Sequence, residues 1–174
     1  MSAFDDLDQA REDVEALLID VLGSVLGEEV LPTSEGAPSS PLASARLAIH
    51  DETDDSYAVV NVRLGATLAR VLASRMMFVA DPEPDDVLDA VAELGNIAGG
   101  NVKSLLCQHA RLSLPVSDIS ESADTGLAES HSGAVCVQAI VLGHVAELEV
   151  APGADLDGLY WPPSTLDDAL ERQP

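Results

Sequence analysis

Residues 86–106 carry apolar side chains at the three- and four-residue steps of an amphipathic α-helix. At about 100° per residue, these side chains fall on one side of the helix. They are Val87, Ala90, Val91, Leu94, Ile97, Ala98, Val102 and Leu105. Pro84 suits the first helical position, and Asp85 and Asp86 favour the positive end of the helix dipole. We predict an unbroken helix over about residues 84–107, with one face buried against a core.

The opposite side of the predicted helix is polar and rich in small residues. It carries Asp89, Glu93, Asn96, Gly100 and Lys103, with Ala92 and Gly99 on its flank. In an arbitrary helix, Glu93 and Asn96 would be an ordinary solvated pair. We expect both side chains to be exposed. We expect Asn101 to lie on the apolar side, where a buried amide needs a hydrogen-bond partner and would have a structural role.

Three glycines, Gly95, Gly99 and Gly100, lie within this helix without any sign that it ends. Each costs about 1 kcal/mol relative to alanine. Close approach of another helix of the same protein is one explanation, and close approach of a partner at the exposed face is the other. Gly95 fits the first explanation. Gly100, one turn beyond Asn96 on the same side, fits the second better.

Sequence patterns elsewhere in the chain predict strands before and after this helix. The predicted elements are a helix over about 4–26 that Gly27 ends, a surface loop over 31–42, a hairpin of 45–50 and 57–63, a short helix over 66–78, a strand at 111–116, and two strands in 134–150 that turn at Gly143. Strands that arrive in adjacent pairs favour antiparallel pairing. We predict an α+β fold, an α/β sandwich in which a mostly antiparallel sheet packs against the first and the long helix. Its domain spans residues 1–153, followed by an acidic, proline-containing tail over 154–174.

The charge balance excludes several classes of function. Only 8 basic residues accompany 31 acidic ones, which gives a formal net charge of −23. Nucleic acids and anionic membranes both need a basic footprint, so neither is expected as a partner. No run approaches the ~18 apolar residues of a membrane-spanning helix, and the acidic start does not resemble a signal peptide, so we expect a cytoplasmic protein. The two cysteines are expected to be buried free thiols, and the four histidines show no metal-ligand spacing, so no metal site is predicted.

The segment from Asp89 to Lys103 resembles the signature of the CheC, CheX and FliY chemotaxis phosphatases. That signature has an acidic or Ser residue, then Glu, then Asn, at four- and three-residue steps. Asp89, Glu93 and Asn96 match it, and Gly100 with Asn101 matches the Gly-Asn that commonly follows. The order of elements resembles the single-site CheX branch over about residues 4–151. The resemblance implies a CheC/CheX-like fold and a homodimer.

The resemblance also implies a reaction, the hydrolysis of the aspartyl phosphate on a CheY-type response-regulator receiver domain, in chemotaxis or two-component signalling. Asn96 would hold the attacking water in line, and Glu93 would pair with the active-site Lys of the receiver. The residues expected to contact the receiver are Asp89, Ala92, Gly99, Gly100 and Lys103. The protein would need no cofactor of its own, because the Mg²⁺ ion would belong to the receiver.

Two other functions remain open at this point. The first is a receiver-binding or scaffold module without hydrolysis. Two departures from the family pattern favour it: Gly99 stands where a larger residue is expected, and Pro115 lies nearer to Asn96 than the proline of the pattern does. The second is an unrelated structural homo-oligomer in which the glycines serve helix packing alone. Release of phosphate from a receiver would separate the phosphatase from both.

Overall fold

The computed structural model describes residues 4–107, 109–121, 133–153 and 156–162. The chain begins with a short 3₁₀ turn, Leu7–Ala10. The helices that follow are α1 (Arg11–Leu26), α2 (Ala66–Met77) and α3 (Pro84–Leu106). The strands are β1 (Val30–Thr33), β2 (Leu42–Asp51), β3 (Ser56–Gly65), β4 (Ala110–Leu112), β5 (Val116–Ser120), β6 (Val135–Val141) and β7 (His144–Pro152).

The seven strands form one sheet in which neighbouring strands run antiparallel, in the order β1-β6-β7-β3-β2-β4, with β5 also paired to β2. The predicted hairpin of β2 and β3 is confirmed. So is the β6–β7 turn, where Leu142 and Gly143 both have positive φ, as a tight hairpin turn requires. The predicted loop at 31–42 is partly wrong, because β1 pairs with β6 there. Pro32 is tolerated because β1 is an edge strand.

The core lies between one face of the sheet and the helices. Alternate residues of β2 and β3, among them Leu47 and Val62, point into the same buried cluster as Leu18 of α1, Leu72 of α2 and Leu94 of α3. This period-two burial is what a half-covered sheet requires. The predicted sandwich of an antiparallel sheet and long helices is therefore confirmed. None of the helices in the described residues is long and apolar enough to cross a membrane.

The face of the sheet that points away from the helices carries a polar network. Arg63 donates from Nε to Oε1 of Glu147 over 2.7 Å, and its Nη2 lies 3.4 Å from Oε2 of Glu149. Gln138 donates to Glu147 over 2.7 Å, and Asn61 donates to Glu149 over 3.4 Å. Arg63 and Glu149 are buried. Two carboxylates and one guanidinium thus partly neutralise each other away from bulk water.

The described part of the C-terminal segment, residues 156–162, is attached to the sheet. Arg46 donates to the carbonyl of Asp157 over 2.8 Å, and the Leu114 amide donates to the carbonyl of Tyr160 over 2.7 Å. The ring of Trp161 stands edge-on to that of His50. The domain boundary at residue 153 stays a prediction, and residues 154, 155 and 163–174 of the expected tail lie outside the described part of the chain.

Candidate functional site

Helix α3 is continuous over 23 residues, and the predicted helix is confirmed. Pro84 occupies its first turn, and the backbone N–H of Glu83 donates to Oδ2 of Asp86 over 2.8 Å, which satisfies a group at the helix start. At the other end, the Cys107 amide donates to the carbonyl of Lys103 over 2.8 Å. The glycines in its middle do not break it.

Glu93 and Asn96 are both exposed on α3, as the sequence predicts. The side-chain amide of Asn96 donates from Nδ2 to Oε2 of Glu93 over 3.4 Å, a long and weak hydrogen bond. An amide that donates through its nitrogen can still accept through its oxygen. The pair therefore offers a fixed negative charge and, beside it, a neutral group that can both donate and accept.

The other residues predicted to contact a partner lie at different depths on α3. Asp89 is exposed, whereas Ala92, Gly100 and Lys103 are half-buried beside the pair. Gly99 is buried, so its predicted place on the exposed flank is wrong. A Cβ atom at Gly99 would lie 2.5 Å from Cδ1 of Leu47, because β2 approaches the helix closely there.

The three positions of α3 are therefore occupied by glycine for different physical reasons. A Cβ at Gly95 would lie 2.8 Å from Cβ of Ala45, so Gly95 also serves internal packing, against a strand and not against the helix that we expected. A Cβ at Gly100 would meet nothing within 4 Å among the described residues. Gly100 lies on the helix face of Asn96, and packing among those residues gives no reason for a glycine at that position.

Two predictions about the C-terminal half of α3 are wrong. Asn101 is exposed and donates to the carbonyl of Ile97, in its own helix, over 2.8 Å. Leu105, predicted in the core, is 41% exposed, and Ile97 is only partly buried. Asn101 and Leu105 line an open groove of about 300 Å³ between α1 and this half of α3, which leaves both side chains exposed. No pattern in the sequence predicts where two helices separate.

The cysteines differ in their surroundings. Cys107 is buried as expected, and desolvation, followed by its contact with Asp51, raises the pKa of its thiol. Cys136 is exposed, so the prediction that both thiols are buried is wrong. Partial desolvation and the nearby charge of Glu147 nevertheless raise the pKa of Cys136 to about 11. Across the described residues, no group of three or more His, Cys, Asp or Glu side chains is placed to hold a metal ion.

Comparison with known proteins identifies the family. A family model described as chemotaxis phosphatase CheX matches residues 47–138, more than half of the chain, including all of α3. The chain belongs to the CheX family. The predicted resemblance is thereby confirmed. Among curated proteins, no sequence matches the chain.

Solved structures of CheX and CheC-like proteins share the fold. CheX from Vibrio vulnificus is 15% identical with a TM-score of 0.65, covering 80% of this chain and 96% of that chain. A CheC-like superfamily protein from Shewanella sp. PV-4 is 16% identical with a TM-score of 0.65, covering 82% and 96%. A CheX-CheY-BeF₃-Mg²⁺ complex from Borrelia burgdorferi matches with 19% identity and a TM-score of 0.61, covering 86% and 99%. At these identities the likeness concerns the fold.

Proposed function

We propose that this CheX-family chain hydrolyses the aspartyl phosphate of a CheY-type receiver domain. The observation that carries the proposal is the pair of Glu93 and Asn96, exposed side by side on one unbroken helix. The Borrelia burgdorferi structure supports the choice of partner, because it contains CheX together with CheY, BeF₃ and Mg²⁺. Chemotaxis or a related two-component pathway is the proposed setting, and a homodimer in the cytoplasm is the proposed state.

In the proposed reaction, Asn96 positions water. An acyl phosphate already has a good leaving group, and the Mg²⁺ ion bound by the receiver balances the charge on the phosphoryl oxygens. What remains is a water molecule held in line with the phosphorus atom. The Asn96 amide is no base, but it can hydrogen-bond to that water and fix its direction of attack. The phosphoryl group is transferred to water, and the receiver aspartate leaves as a carboxylate.

Glu93 anchors the partner. Its exposed carboxylate can pair with the active-site Lys of a receiver, an interaction that is strengthened when the interface excludes water. The Asn96 amide lies 3.4 Å from the Glu93 carboxylate, so a receiver that engages Glu93 also comes within reach of the amide. Glu93 should therefore contribute to receiver binding before the chemical step and to the rate of that step.

A receiver-binding module without hydrolysis is the remaining alternative. One of the two departures that favour it, Gly99, is explained by contact with Leu47 inside the protein and does not alter the exposed face. Pro115 lies against the same helix: a Cβ at Gly95 would be 3.8 Å from its Cβ. Both departures therefore concern the packing of α3 on the sheet.

Loss of phosphate from a phosphorylated receiver tests the proposal. Candidate CheY-type receivers from the same genome would be phosphorylated with a small phosphodonor, and their decay followed with and without the protein. Asn96→Ala should lose acceleration by about 10²-fold or more while most binding remains, because only the positioned water is lost. Glu93→Ala should weaken both binding and rate. Glu12→Ala removes an exposed glutamate on α1 and serves as the matched control.

Melting curves of all variants accompany the assay, since exposed side chains should contribute little to stability. If the Asn96→Ala protein accelerated receiver dephosphorylation as much as the wild type, Asn96 would not be the residue that positions the water. A wild-type protein that binds a phosphorylated receiver and leaves its decay rate unchanged would instead establish the binding module.

A further inference from the structure

The groove between α1 and the C-terminal half of α3 does not include the catalytic pair, Glu93 and Asn96. Its apolar surface comes from Leu17, Val21 and Leu105, and Asn101 lines the α3 side. Asp13 and Asp20 line it on the α1 side. The volume of about 300 Å³ is open to solvent and large enough for one or two side chains of a partner.

We propose that this groove is a second contact site for the receiver, and that it takes an apolar side chain flanked by Lys or Arg. The inference rests on the proposed function for the identity of the partner. It adds a determinant of receiver choice that is separate from the catalytic pair, because the groove residues do not belong to the exposed face of Glu93 and Asn96.

The apolar part of the proposal follows from Leu105. This side chain is 41% exposed near the end of a helix whose other large apolar residues are mostly buried. Leu17 on α1 is only partly buried and faces the same space. An apolar side chain inserted here would remove both leucines from water, which is favourable in proportion to the area buried. A central apolar anchor of this kind is the usual site of strong contacts in an interface.

The basic part follows from the two aspartates. Asp13 and Asp20 are exposed and lie seven residues apart, about 10 Å along the axis of α1. Across the part of the chain that the structure describes, neither has an ion-pair partner within 4 Å, and no Lys or Arg lines the groove. The chain as a whole has a net charge of −23, so an acidic segment of a partner is repelled and a basic one attracted.

One receiver domain can reach both sites. Glu93 and Leu105 are twelve residues apart on α3, about 18 Å along the helix axis. An interface of ordinary size covers about 800 Å² on each partner, a patch about 30 Å across. Asn101 and Leu105 are turned about 80° and 120° from Glu93 around the axis, toward α1. The groove thus opens on the α1 flank of the helix, and a receiver that docks over Glu93 reaches it by extending onto α1.

The test measures KM and kcat for the phosphorylated receiver with groove variants of the full chain. Asp13→Asn combined with Asp20→Asn should raise KM about fivefold or more at low salt and much less at high salt, because exposed charges are screened. Leu105→Ser should raise KM about fivefold or more at any salt concentration. In both variants kcat should change less than twofold, since the catalytic pair is intact. Glu12→Gln combined with Glu29→Gln removes the same charge outside the groove and should leave KM unchanged.

Direct binding separates the two proposals. The same substitutions made in the Asn96→Ala protein should weaken receiver binding by the same factors, as measured by titration calorimetry without accelerated hydrolysis. A wild-type protein that dephosphorylates the receiver, with KM equal in the groove and control variants, overturns the groove inference and leaves the function intact. Groove variants that alter self-association alone would assign the groove to a second copy of the chain and also overturn it. A wild-type protein that neither binds nor dephosphorylates any receiver overturns both proposals.

Discussion

Alanine substitution at the three glycines of α3 should have opposite effects at neighbouring positions. Each substitution gains helix propensity worth about 1 kcal/mol, because alanine loses less backbone freedom than glycine on folding. At Gly100 the new methyl group meets no atom of the described residues within 4 Å, so the full gain should appear. In a chain of this length, about 1 kcal/mol corresponds to a rise in Tm of about 2–4 °C.

At Gly95 and Gly99 the same gain is opposed by overlap. The methyl group at Gly95 would lie 2.8 Å from Cβ of Ala45, an atom that no side-chain rotation can move. At Gly99 it would lie 2.5 Å from Cδ1 of Leu47, a fully buried side chain. Overpacking of this kind costs about 1–3 kcal/mol. Because the propensity gain is common to all three, Gly95→Ala and Gly99→Ala should unfold with about 1–3 kcal/mol less free energy than Gly100→Ala.

Thermal melts and denaturant unfolding of the three variants check the stabilities, and receiver dephosphorylation checks the function. Gly100→Ala should be more stable than wild type. It should dephosphorylate the receiver up to about 10²-fold more slowly, because the methyl group lies where the receiver must approach Asn96. If the Tm of Gly95→Ala or Gly99→Ala equalled or exceeded that of Gly100→Ala, close packing on β2 would not explain those glycines. A Gly100→Ala protein with unchanged dephosphorylation would show that the receiver does not approach the helix at that position.

Two further predictions concern the helix-free face of the sheet. Arg63→Ala should cost about 3–5 kcal/mol, because Glu147 and Glu149, 12% and 6% exposed at their side chains, lose their guanidinium partner. Arg70→Ala, which breaks an exposed ion pair, should cost under about 1 kcal/mol in the same denaturant titration, and equal losses would contradict the buried network. The pKa of Cys136 is raised to about 11, so only ~1% of its thiol is ionised to the thiolate at pH 9. Because the thiolate is the nucleophile, the rate at which iodoacetamide alkylates Cys136 should rise steeply up to about pH 11. A midpoint near the ordinary thiol value of 9.0 would contradict this pKa.

The parts of the fold that the sequence predicted are those fixed by local periodicity. Helix α3 and the β2–β3 hairpin follow from three- to four-residue and two-residue steps, which depend on backbone geometry alone. The pair of Glu93 and Asn96 was predicted as exposed for the same reason. Strand β1 was missed because its pairing with β6 joins distant parts of the chain, and Pro32 argues against a strand unless that strand is known to be at an edge.

The errors on α3 have a common physical cause. A helical wheel gives the angle of each residue, but it does not say how far a neighbouring element extends on each side. Gly99 lies near the border of the apolar stripe and is buried because β2 comes close. Leu105 lies within the stripe and is exposed because α1 leaves a groove beside it. Both outcomes depend on tertiary distances that sequence periodicity does not contain.

The contacts of Gly95 and Gly99 with β2 also restrict how this helix can change length. Gly95 fixes the side of α3 that faces the sheet, and Asn96, the next residue, stands on the exposed side. An inserted or deleted residue at this point of the helix would turn one half of it by about 100° relative to the other. Either Gly95 would leave the sheet, or Gly99 would leave the sheet and Asn96 would leave the surface. Insertions and deletions are thus excluded from the middle of α3, whereas the exposed turn at residues 78–81, before Pro82 and the helix cap at Glu83, lies outside both contacts.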